Sequence, residues 1–488
     1  MFRDRRTYPA LSVSNLSERQ QRAVDDLFRR IAPVADRLGE LFAASGHELA
    51  LVGGSVRDVF LGRVGHDLDL TTDARPERVL EIVKDWADAV WTIGIDFGTV
   101  GVRKDGWQLE ITTYRSESYD PASRKPEVAY GDTLDGDLAR RDFAVNAMAV
   151  RVPGHEFVDP YGGLADLTAK VLRTPGRPED SFDDDPLRML RAARFASQLG
   201  FSVDPKAVEA MTAMAGRIEI VSAERIRDEL DKLICGVGPR DGLALLVETG
   251  LAAHVLPELP KLRLEIDEHH RHKDVYEHTL IVLEQAVALE TSGPDHVLRW
   301  AALLHDIGKP KTRRNEPGGR VSFHHHEVVG AQMAKKRMSE LKFPKDVVSD
   351  VSRLVELHLR FHGYGSGEWT DSAVRRYVRD AGHLLERLHK LTRADCTTRN
   401  KRKAAALSQT YDQLEERISR LAEEEELAKI RPELDGNEIQ EILGLSPGPL
   451  IGQAYKHMLE IRMDEGMIGK EAAKEALLKW AKAQEILP

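Results

Sequence analysis

Hydrophobic residues recur at two different spacings in the first third of the chain. Between Leu16 and Ala44 they follow the three-to-four-residue spacing of a helix. Short apolar or alternating runs then predict strands with helices between them. The predicted strands are Leu49–Val52, Asp67–Leu70, Val90–Ile93, Thr99–Val102 and Trp107–Thr113, with helices after Gly53-Gly54 and over Arg75–Trp86. Together these elements predict a small mixed α/β sheet.

The remainder of the chain has a different pattern. Ser116–Leu138 is rich in Pro, Gly, Ser and charged residues and is predicted to be a mobile loop. From Asp183 onward, apolar residues keep the helical spacing and strand patterns are almost absent. Thr410–Leu427 is predicted to be a charged, solvated helix. We therefore predict an α+β protein in which a mixed-sheet head precedes all-α regions.

Composition constrains the environment of the protein. Two cysteines, Cys235 and Cys396, in 488 residues exclude a disulfide framework and a cysteine-rich zinc site, which fits a reducing compartment. The first residues lack the apolar stretch of a signal peptide, and no apolar run approaches membrane-spanning length. We therefore expect a cytoplasmic protein without a membrane partner. The net charge of −10 argues mildly against a nucleic-acid partner, but such partners are bound by local basic patches.

Two aspartates on one predicted strand are the sharpest chemical feature. Asp67 and Asp69 are two residues apart, so both side chains lie on the same face of the strand. Adjacent carboxylates repel each other unless a cation lies between them, and hard oxygen ligands favour Mg²⁺. The alternative is an edge strand with a solvated acidic face. Glu110, on the strand Trp107–Thr113, is a third candidate that would complete the metal cluster or accept a proton. The alternative for Glu110 is a position at the rim.

A glycine turn precedes the aspartate pair. Gly53-Gly54 and Ser55 open a helix, where the glycines permit close approach to phosphate and Arg57 adds a forked positive charge. A glycine pair alone is usually only a turn. Followed by a same-face aspartate pair, it predicts metal-dependent phosphoryl or nucleotidyl transfer.

Several segments in order resemble one protein family. Leu51–Asp58, followed by Asp67–Asp69, resembles the nucleotidyltransferase signature of bacterial CCA-adding enzymes and poly(A) polymerases. The later segments that resemble the family are Arg140–Ala147, Asp159–Gly163, Asp183–Phe201 and Glu224–Lys232. The resemblance implies a nucleotidyltransferase head with Mg²⁺ at Asp67 and Asp69. The head residues that it assigns to nucleotide binding are Gly54, Ser55, Arg57 and Arg141.

Three arginines form a stripe on the next predicted helix. Asp184 or Asp185 is predicted to cap this helix, and Pro186 suits its first position. The arginines are Arg188, Arg191 and Arg194. Their spacing of three places them near one face, beside apolar residues that require burial, which predicts an anionic partner. The alternative is a solvated basic stripe.

The resemblance gives this helix a function in choosing bases. In the family, an Asp and an Arg at the positions of Asp185 and Arg188 pair with the incoming base. Cytosine and adenine present an amino donor beside a ring-nitrogen acceptor, which a carboxylate and a guanidinium match, whereas uracil and guanine present the opposite pattern. Arg191 and Arg194 would then be free for base or triphosphate contacts. The family commonly has Glu where this chain has Asp184.

Histidines and aspartates form a second group in the middle of the chain. His305-Asp306 ends an apolar helical run, and further histidines and Asp395 follow on later helices. Imidazole with carboxylate suits a transition metal such as Mn²⁺, Ni²⁺ or Fe²⁺ that activates water. The pattern resembles the HD phosphohydrolase superfamily, which implies phosphatase or phosphodiesterase chemistry; the alternative is a vestigial or structural metal site. The ligands it implies are His278, His305, Asp306 and Asp395, with His326 and His358 as extra ligands.

The resemblance also divides the chain into four predicted domains. Residues 1–153 would be the catalytic head, 154–262 a helical neck with the base-reading helix, 263–405 an HD domain and 406–488 a tail that contacts tRNA. The predicted enzyme adds CMP, CMP and AMP from CTP and ATP to tRNA 3′ ends by a two-metal mechanism, without an obligatory protein partner. Ser116–Leu138 would govern the change from C to A.

Three kinds of alternative remain at this point. Within the family, the same motifs serve poly(A) polymerases and enzymes that add only CC or only A. The alternative of another class is an HD phosphohydrolase whose head only binds RNA or nucleotide, and Asp67 and Asp69 argue against it. A non-catalytic RNA-binding scaffold is a third option, opposed by the completeness of both metal constellations.

Overall fold

The computed structural model describes residues 18–63, 65–115, 130–263, 274–317, 320–363, 369–397, 401–425, 431–484 and 486. The chain divides into two compact units, Met1–Pro257 and Glu258–Pro488. The strands are β1 (Leu49–Val52), β2 (Asp67–Thr72), β3 (Ala89–Trp91), β4 (Thr99–Lys104), β5 (Trp107–Thr113), β6 (Ala149–Arg151), β7 (Glu156–Val158), β8 (Val171–Leu172), β9 (Ser202–Val203), β10 (Arg314–Glu316) and β11 (Arg320–Ser322).

Helices account for most of the remaining chain. The helices of the first unit are α1 (Glu18–Ala44), α2 (Gly54–Phe60), α3 (Pro76–Val83), α4 (Leu134–Ala139), α5 (Gly163–Ala169), α6 (Pro178–Asp184), α7 (Leu187–Leu199), α8 (Pro205–Met214), α9 (Ala223–Ile234), α10 (Pro239–Glu248) and α11 (Leu251–Val255). The helices of the second unit are α12 (Val275–Ala288), α13 (His296–Leu304), α14 (Lys309–Thr312), α15 (His326–Glu340), α16 (Lys345–Leu357), α17 (Asp371–Ala381), α18 (Leu385–Asp395), α19 (Lys401–Glu425), α20 (Gly436–Leu443), α21 (Pro449–Glu465) and α22 (Lys470–Ala483).

A seven-stranded mixed sheet forms the centre of the first unit. Its strand order is β3-β4-β5-β2-β1-β6-β7, with β2 parallel to β5 and the other neighbours antiparallel. Alternate residues of β2 and β5 are buried, and α3 packs against β4 and β5. These buried residues are Leu68, Leu70, Leu109 and Ile111. The residues between them are exposed in the first part of both strands, so one face of the sheet is open there.

Helix α7 links the sheet to the helical part of the first unit. It packs against α9 and α10, with Met189 and Leu190 fully buried. Phe195 meets Phe143 edge to face, with 5.8 Å between the ring centroids. The apolar side of α7 therefore fixes its polar side next to the segment that leads into β6.

The second unit is helical apart from the short hairpin of β10 and β11, within the part of the chain that the structure describes. Helices α12, α13, α16 and α18 pack against one another around Trp300, whose ring lies edge-on to Phe343 at 5.0 Å. Helices α20, α21 and α22 share a small core of their own, centred on Ile439, Met458 and Leu477.

The predicted α+β architecture is confirmed, and two local predictions need correction. The prediction that Thr410–Leu427 is solvated is wrong, because Tyr411, Leu414 and Leu421 of α19 are buried. The high proportion of charged residues in this segment led to the wrong prediction, because it obscured the apolar positions on one side of the helix. The predicted loop Ser116–Leu138 lies largely outside the described residues, and its last part forms α4.

None of the helices in the described part of the chain combines the length and apolarity needed to cross a membrane.

Candidate active sites

Three carboxylates lie side by side on the open face of the sheet. Asp67 and Asp69 are on β2, and Glu110 on β5 is the direct register partner of Asp69. Residues in register project from the same side of a sheet, so all three lie opposite the buried leucines. We call this surface the acidic face. The alternation of side chains along β2 predicted that Asp67 and Asp69 share one face, whereas the position of Glu110 follows from the pairing of β2 with β5.

The glycine turn lies against Asp69. Gly53 has φ of 66°, a left-handed conformation that favours glycine. A Cβ atom at position 53 would lie 2.9 Å from a guanidinium nitrogen of Arg141 and 3.7 Å from Oδ2 of Asp69. Ser55 Oγ accepts a hydrogen bond of 2.8 Å from the backbone N–H of Asp69. The turn is therefore fastened to β2, with a cation and a carboxylate at its surface.

Two arginines flank this turn, and each is held by a partner. Arg57 Nη1 donates to Asn146 Oδ1 at 2.6 Å. Arg141 Nη2 donates to Asp137 at 3.0 Å. A guanidinium has five N–H donors, so each arginine keeps donors for an anionic ligand.

The pKa of Asp69 records the charge around it. Loss of surrounding water raises the pKa of Asp69, and the negative charges of Glu110 and Asp67 act in the same direction. The guanidinium groups of Arg141 and Arg57 oppose this rise. A carboxylate crowded by other carboxylates is stabilised in its ionised form by a bound cation, so the donor set fits Mg²⁺.

Asp142 is a positioning residue that the sequence analysis did not single out. It accepts a hydrogen bond from Asn146 Nδ2 at 2.9 Å and pairs with Arg191 at 2.7 Å. Burial alone would raise the pKa of Asp142, but Arg191 and Asn146 outweigh burial and lower it. Because Asn146 also binds Arg57, a chain of polar contacts joins α7 to the glycine turn. The motif Arg140–Ala147 was the sequence feature that pointed here.

The predicted base-reading pair lies at the start of α7. Asp185 accepts a hydrogen bond from the backbone N–H of Leu187, the first residue of α7, at 3.1 Å. Its carboxylate also pairs with Arg225 at 3.0 Å. Arg188 donates to the backbone carbonyl of Arg140 at 2.6 Å. Neighbouring groups therefore hold both side chains in place.

Arg191 and Arg194, which were expected to be free for base or triphosphate contacts, each have an acidic partner within the protein. Arg191 pairs with Asp142 at 2.7 Å, and Arg194 pairs with Glu229 of α9 at 2.9 Å. Both guanidinium groups also lie over the ring of Phe195, at 6.0 and 4.3 Å from its centroid. The physical reason is that α7 packs against α9, and a guanidinium close to a core requires a counter-charge.

Six side chains converge at a second site, within the second unit, and we call them the histidine cluster. They form two groups, His278 with His305 and Asp395, and Asp306 with His326 and His358. Within each group the ligand atoms lie within 4.8 Å of one another. Asp306 faces both groups, since its Oδ2 lies 3.2 Å from His305 Nε2 and its Oδ1 lies 3.2 Å from His326 Nε2. The structure thus brings together all six ligands that the HD resemblance implied.

Hydrogen bonds to backbone carbonyl groups orient three imidazole rings of the histidine cluster. The Nδ1 atoms of His305, His326 and His358 lie 2.8, 2.8 and 2.6 Å from the carbonyl oxygens of Ala302, Phe323 and Val355. A carbonyl only accepts, so each Nδ1 carries a proton and each Nε2 faces the cluster, where it offers a lone pair whenever the ring is neutral. Nε2 of His358 is buried and has no hydrogen-bond partner among the described residues. Such oriented lone pairs fit a metal site.

The charges of the cluster also fit a metal site. Burial alone would lower the pKa of His305, but Asp306 and Asp395 outweigh burial and raise it to about 9. Burial lowers the pKa of His358 to about 3, and the charge of His305 adds to this effect. Lys309 donates to Asp306 at 2.8 Å and helps to keep its carboxylate ionised. Without a cation His305 is therefore protonated near neutral pH, and a metal ion at its Nε2 would displace that proton, whereas His358 is already neutral.

Three family models match the chain in order. A model described as "Poly A polymerase head domain" matches residues 49–173, and "Probable RNA and SrmB- binding site of polymerase A" matches 200–262. A third, described as "HD domain", matches residues 275–400. The first match contains the acidic face and the third contains the histidine cluster.

Sequence relatives extend these matches over most of the chain. An A-adding tRNA nucleotidyltransferase of Deinococcus radiodurans is 36% identical over 355 residues, which cover 71% of this chain and 80% of that one. A CCA-adding enzyme of Enterococcus faecalis is 30% identical over 461 residues, which cover 94% and 96%.

Solved structures show the same fold. The Bacillus stearothermophilus CCA-adding enzyme in complex with CTP matches with a TM-score of 0.68 at 24% identity, over 94% of this chain and 98% of that one. The Thermotoga maritima CCA-adding enzyme complexed with tRNA matches with a TM-score of 0.58 at 18% identity, over 94% and 98%.

The head fold and its family matches define a nucleotidyltransferase. Within that class, the chain belongs to the family of bacterial tRNA nucleotidyltransferases and poly(A) polymerases that carry an HD domain.

Proposed function

We propose that this enzyme completes the 3′ end of tRNA by adding CMP, CMP and AMP from CTP and ATP. The observation that carries the proposal is the row of three carboxylates on the acidic face, next to a glycine turn flanked by arginines. The relatives named CCA-adding enzymes support the choice of substrate, as does the length over which they match.

The acidic face supplies the groups that nucleotidyl transfer requires. Asp67 and Asp69 would hold Mg²⁺, which when bound neutralises phosphate charge and favours ionisation of the RNA 3′ hydroxyl. In the reaction, the 3′ oxygen forms a bond to the α-phosphorus of the nucleoside triphosphate, and the bond to pyrophosphate breaks. We assign Glu110 to accept the proton of that hydroxyl. Arg57 and Arg141 would hold the triphosphate through their remaining N–H donors.

Asp185 and Arg188 would select the base. The carboxylate of Asp185 has about four lone-pair sites, so its bonds to the protein leave acceptor capacity for an amino group. Uracil or guanine would leave both contacts unmade, at about 1–3 kcal/mol each. Arg191 and Arg194 are paired within the protein, so we assign them to positioning α7.

Extension of a tRNA that lacks its terminal CCA tests this function. The full-length protein is given the RNA, Mg²⁺ and labelled CTP, ATP or both, and the products are resolved at single-nucleotide length. We expect two additions with CTP alone and three with both nucleotides, followed by a stop.

Two outcomes of the assay would replace the proposal by its alternatives. Long tails from ATP alone would identify a poly(A) polymerase. Addition of a single A, and only to tRNA that already ends in CC, would identify the activity for which the Deinococcus radiodurans relative is named.

The histidine cluster favours a second candidate function, a metal-dependent phosphohydrolase. The observation behind it is that Asp306 places one carboxylate oxygen towards each group of ligands. Metal ions held there would lower the pKa of a bound water and so supply a nucleophile for a phosphate ester. The alternative that the cluster is structural predicts bound metal without hydrolysis.

Phosphoester hydrolysis separates these two possibilities. The protein is loaded with Mn²⁺, Ni²⁺ or Fe²⁺ and given p-nitrophenyl phosphate, bis-p-nitrophenyl phosphate and an RNA that ends in a 2′,3′-cyclic phosphate. We expect hydrolysis of at least one ester, lost on chelation and in Asp306→Asn. Stoichiometric metal without hydrolysis of any ester would leave only the structural role.

A further inference from the structure

A tryptophan lies on the acidic face, beyond the carboxylates. Across four neighbouring strands, Asp69 of β2 is in register with Glu110 of β5, Glu110 with Gly101 of β4, and Gly101 with Trp91 of β3. Residues in register project from the same side of the sheet, so Trp91 and the carboxylates share one surface.

Gly101 allows the indole of Trp91 to approach Glu110. A Cβ atom at position 101 would overlap the indole ring, so the ring occupies the space where a side chain on β4 would stand. Neighbouring strands are about 4.8 Å apart, which places the ring one strand away from Glu110 although Trp91 itself is two strands away. Trp91 is half-buried, so this residue is not sealed within the sheet.

Two large apolar side chains follow Trp91 in the chain and are exposed. Ile93 is 92% exposed and Phe97 is 52% exposed on the segment that joins β3 to β4. Arg103 is also exposed and is in register with Gln108. Gln108 is two residues from Glu110, so Arg103 lies on the same face of the sheet as Glu110. The acidic face thus carries an indole on β3 and a cation on β4.

The two sides of the aspartate pair differ in chemistry. On the side of β1 and β6 lie Arg57, Asn146 and, through Asp142, the helix α7. On the side of β5, β4 and β3 lie Glu110 and then the indole of Trp91. In-line transfer brings the attacking and leaving groups to the metal centre from opposite sides. If the triphosphate occupies the arginine side, the RNA end approaches over the side of Glu110.

We propose that the indole of Trp91 stacks on the 3′-terminal nucleobase of the RNA and so holds its 3′ hydroxyl beside Glu110. This inference rests on the proposed function of the acidic face. Aromatic stacking tolerates every base, because each base has a π-face. The terminal base of the RNA changes with each addition, so stacking suits every step, whereas hydrogen-bond recognition would suit only one terminal base.

A fluorescent RNA end tests the stacking directly and without catalysis. A tRNA acceptor hairpin carries 2-aminopurine as its 3′-terminal nucleotide, and binding is followed by anisotropy in the absence of nucleoside triphosphate. Wild-type protein is expected to bind the hairpin and quench 2-aminopurine. Trp91→Ala is expected to bind it roughly 5- to 150-fold more weakly and to leave it unquenched at saturation. Trp91→Phe should retain part of both effects, and Trp107→Phe, whose ring lies on the opposite face, should match the wild type.

Steady-state kinetics separate a role in RNA binding from general damage. In Trp91→Ala the KM for RNA should rise while the KM for CTP stays unchanged, whereas a distorted sheet would alter both. Equal quenching by wild type and Trp91→Ala would overturn the inference and leave the proposed function intact. A wild-type protein that binds the hairpin and quenches its end but adds no nucleotide would contradict the proposed function alone. Failure of the wild type to bind the hairpin would overturn both.

Discussion

The acidic face and the histidine cluster both bring carboxylates together, but one site is open and the other is closed. Asp67, Asp69 and Glu110 are exposed on a half-covered sheet. In the histidine cluster, His305, Asp306 and His358 have almost no exposed surface. An open site admits two large substrates and lets ions exchange with each cycle. A closed site holds its ions firmly and restricts what can reach them.

The largest predicted effect comes from removing the two aspartates of the acidic face. Asp67→Ala combined with Asp69→Ala should lower nucleotide addition by on the order of 10³-fold or more, because the carboxylates that would bind the metal are gone. Hydrolysis by the histidine cluster should persist. The reciprocal control is Asp306→Asn, which should lose hydrolysis and retain addition. Labelled-nucleotide incorporation and ester hydrolysis, measured on the same preparations, check both, and surviving addition in the double variant would refute the assignment of the acidic face.

The second prediction concerns the buried link beside the acidic face. Asp142→Asn should lower the free energy of unfolding by about 2–4 kcal/mol, because it leaves Arg191 without its counter-charge. We expect the lower end of this range of free energies, because 36% of the Arg191 side chain reaches solvent. Asp183→Asn, which breaks an exposed pair with Arg217, is the matched control and should cost under about 1 kcal/mol. Denaturant unfolding of the three proteins measures the difference, and equal losses would mean that burial adds nothing to the Asp142 pair.

The same pair predicts a pH dependence. Folding lowers the pKa of Asp142 below its ordinary value of 3.8. Its stabilising contribution is therefore fully present above pH 3.8 and is lost as pH falls through the lowered value in the folded protein. The difference in stability between wild type and Asp142→Asn should shrink as acid is added, and a constant difference would contradict the assignment.

The third prediction tests how closely the histidine cluster is held. His278 differs from the other three histidines because its Nδ1 contacts a side chain, Thr397 Oγ1, at 3.1 Å. Thr397→Val should weaken metal binding by roughly 10- to 100-fold without affecting nucleotide addition. Competition with a chelator measures the affinity. Thr392→Val, on the same stretch of chain but bonded to the carbonyl of Leu388, should leave the affinity unchanged.

The smallest predicted effect comes from one methyl group on the acidic face. Gly101→Ala should displace the indole of Trp91 and raise the KM for RNA about fivefold, at the lower end of a stacking contribution. In combination with Trp91→Ala, the glycine substitution should add little, because the ring it displaces is already absent. Fully additive effects in steady-state assays would show that Gly101 acts independently of the ring.

Regular spacing made part of this molecule predictable from its sequence. The alternation of residues along β2 is enough to predict that Asp67 and Asp69 share one face, and the start of a helix directly after Asp185-Pro186 follows from the same short segment. Both are properties of a few consecutive residues. The mixed-sheet head and the helical remainder follow from the same kind of local pattern.

Other features depend on pairing between distant segments, which spacing does not encode. The neighbours of Arg191 and Arg194 come from Asp142 and from α9, so the sequence suggested that both arginines were free. The contact of Trp91 with Gly101 requires the register of β3 with β4. A resemblance to a family supplied the ligands of the histidine cluster because no local spacing connects them.

The carbonyl bonds of the histidine cluster have an evolutionary consequence. Three of the four imidazoles are oriented by a peptide group three residues earlier in their own segment, and substitution of side chains does not remove a peptide group. These ligands can therefore persist while the surrounding sequence drifts. Among the four, only His278 has its Nδ1 next to a replaceable side chain, that of Thr397, so its orientation is the one most open to change by substitution.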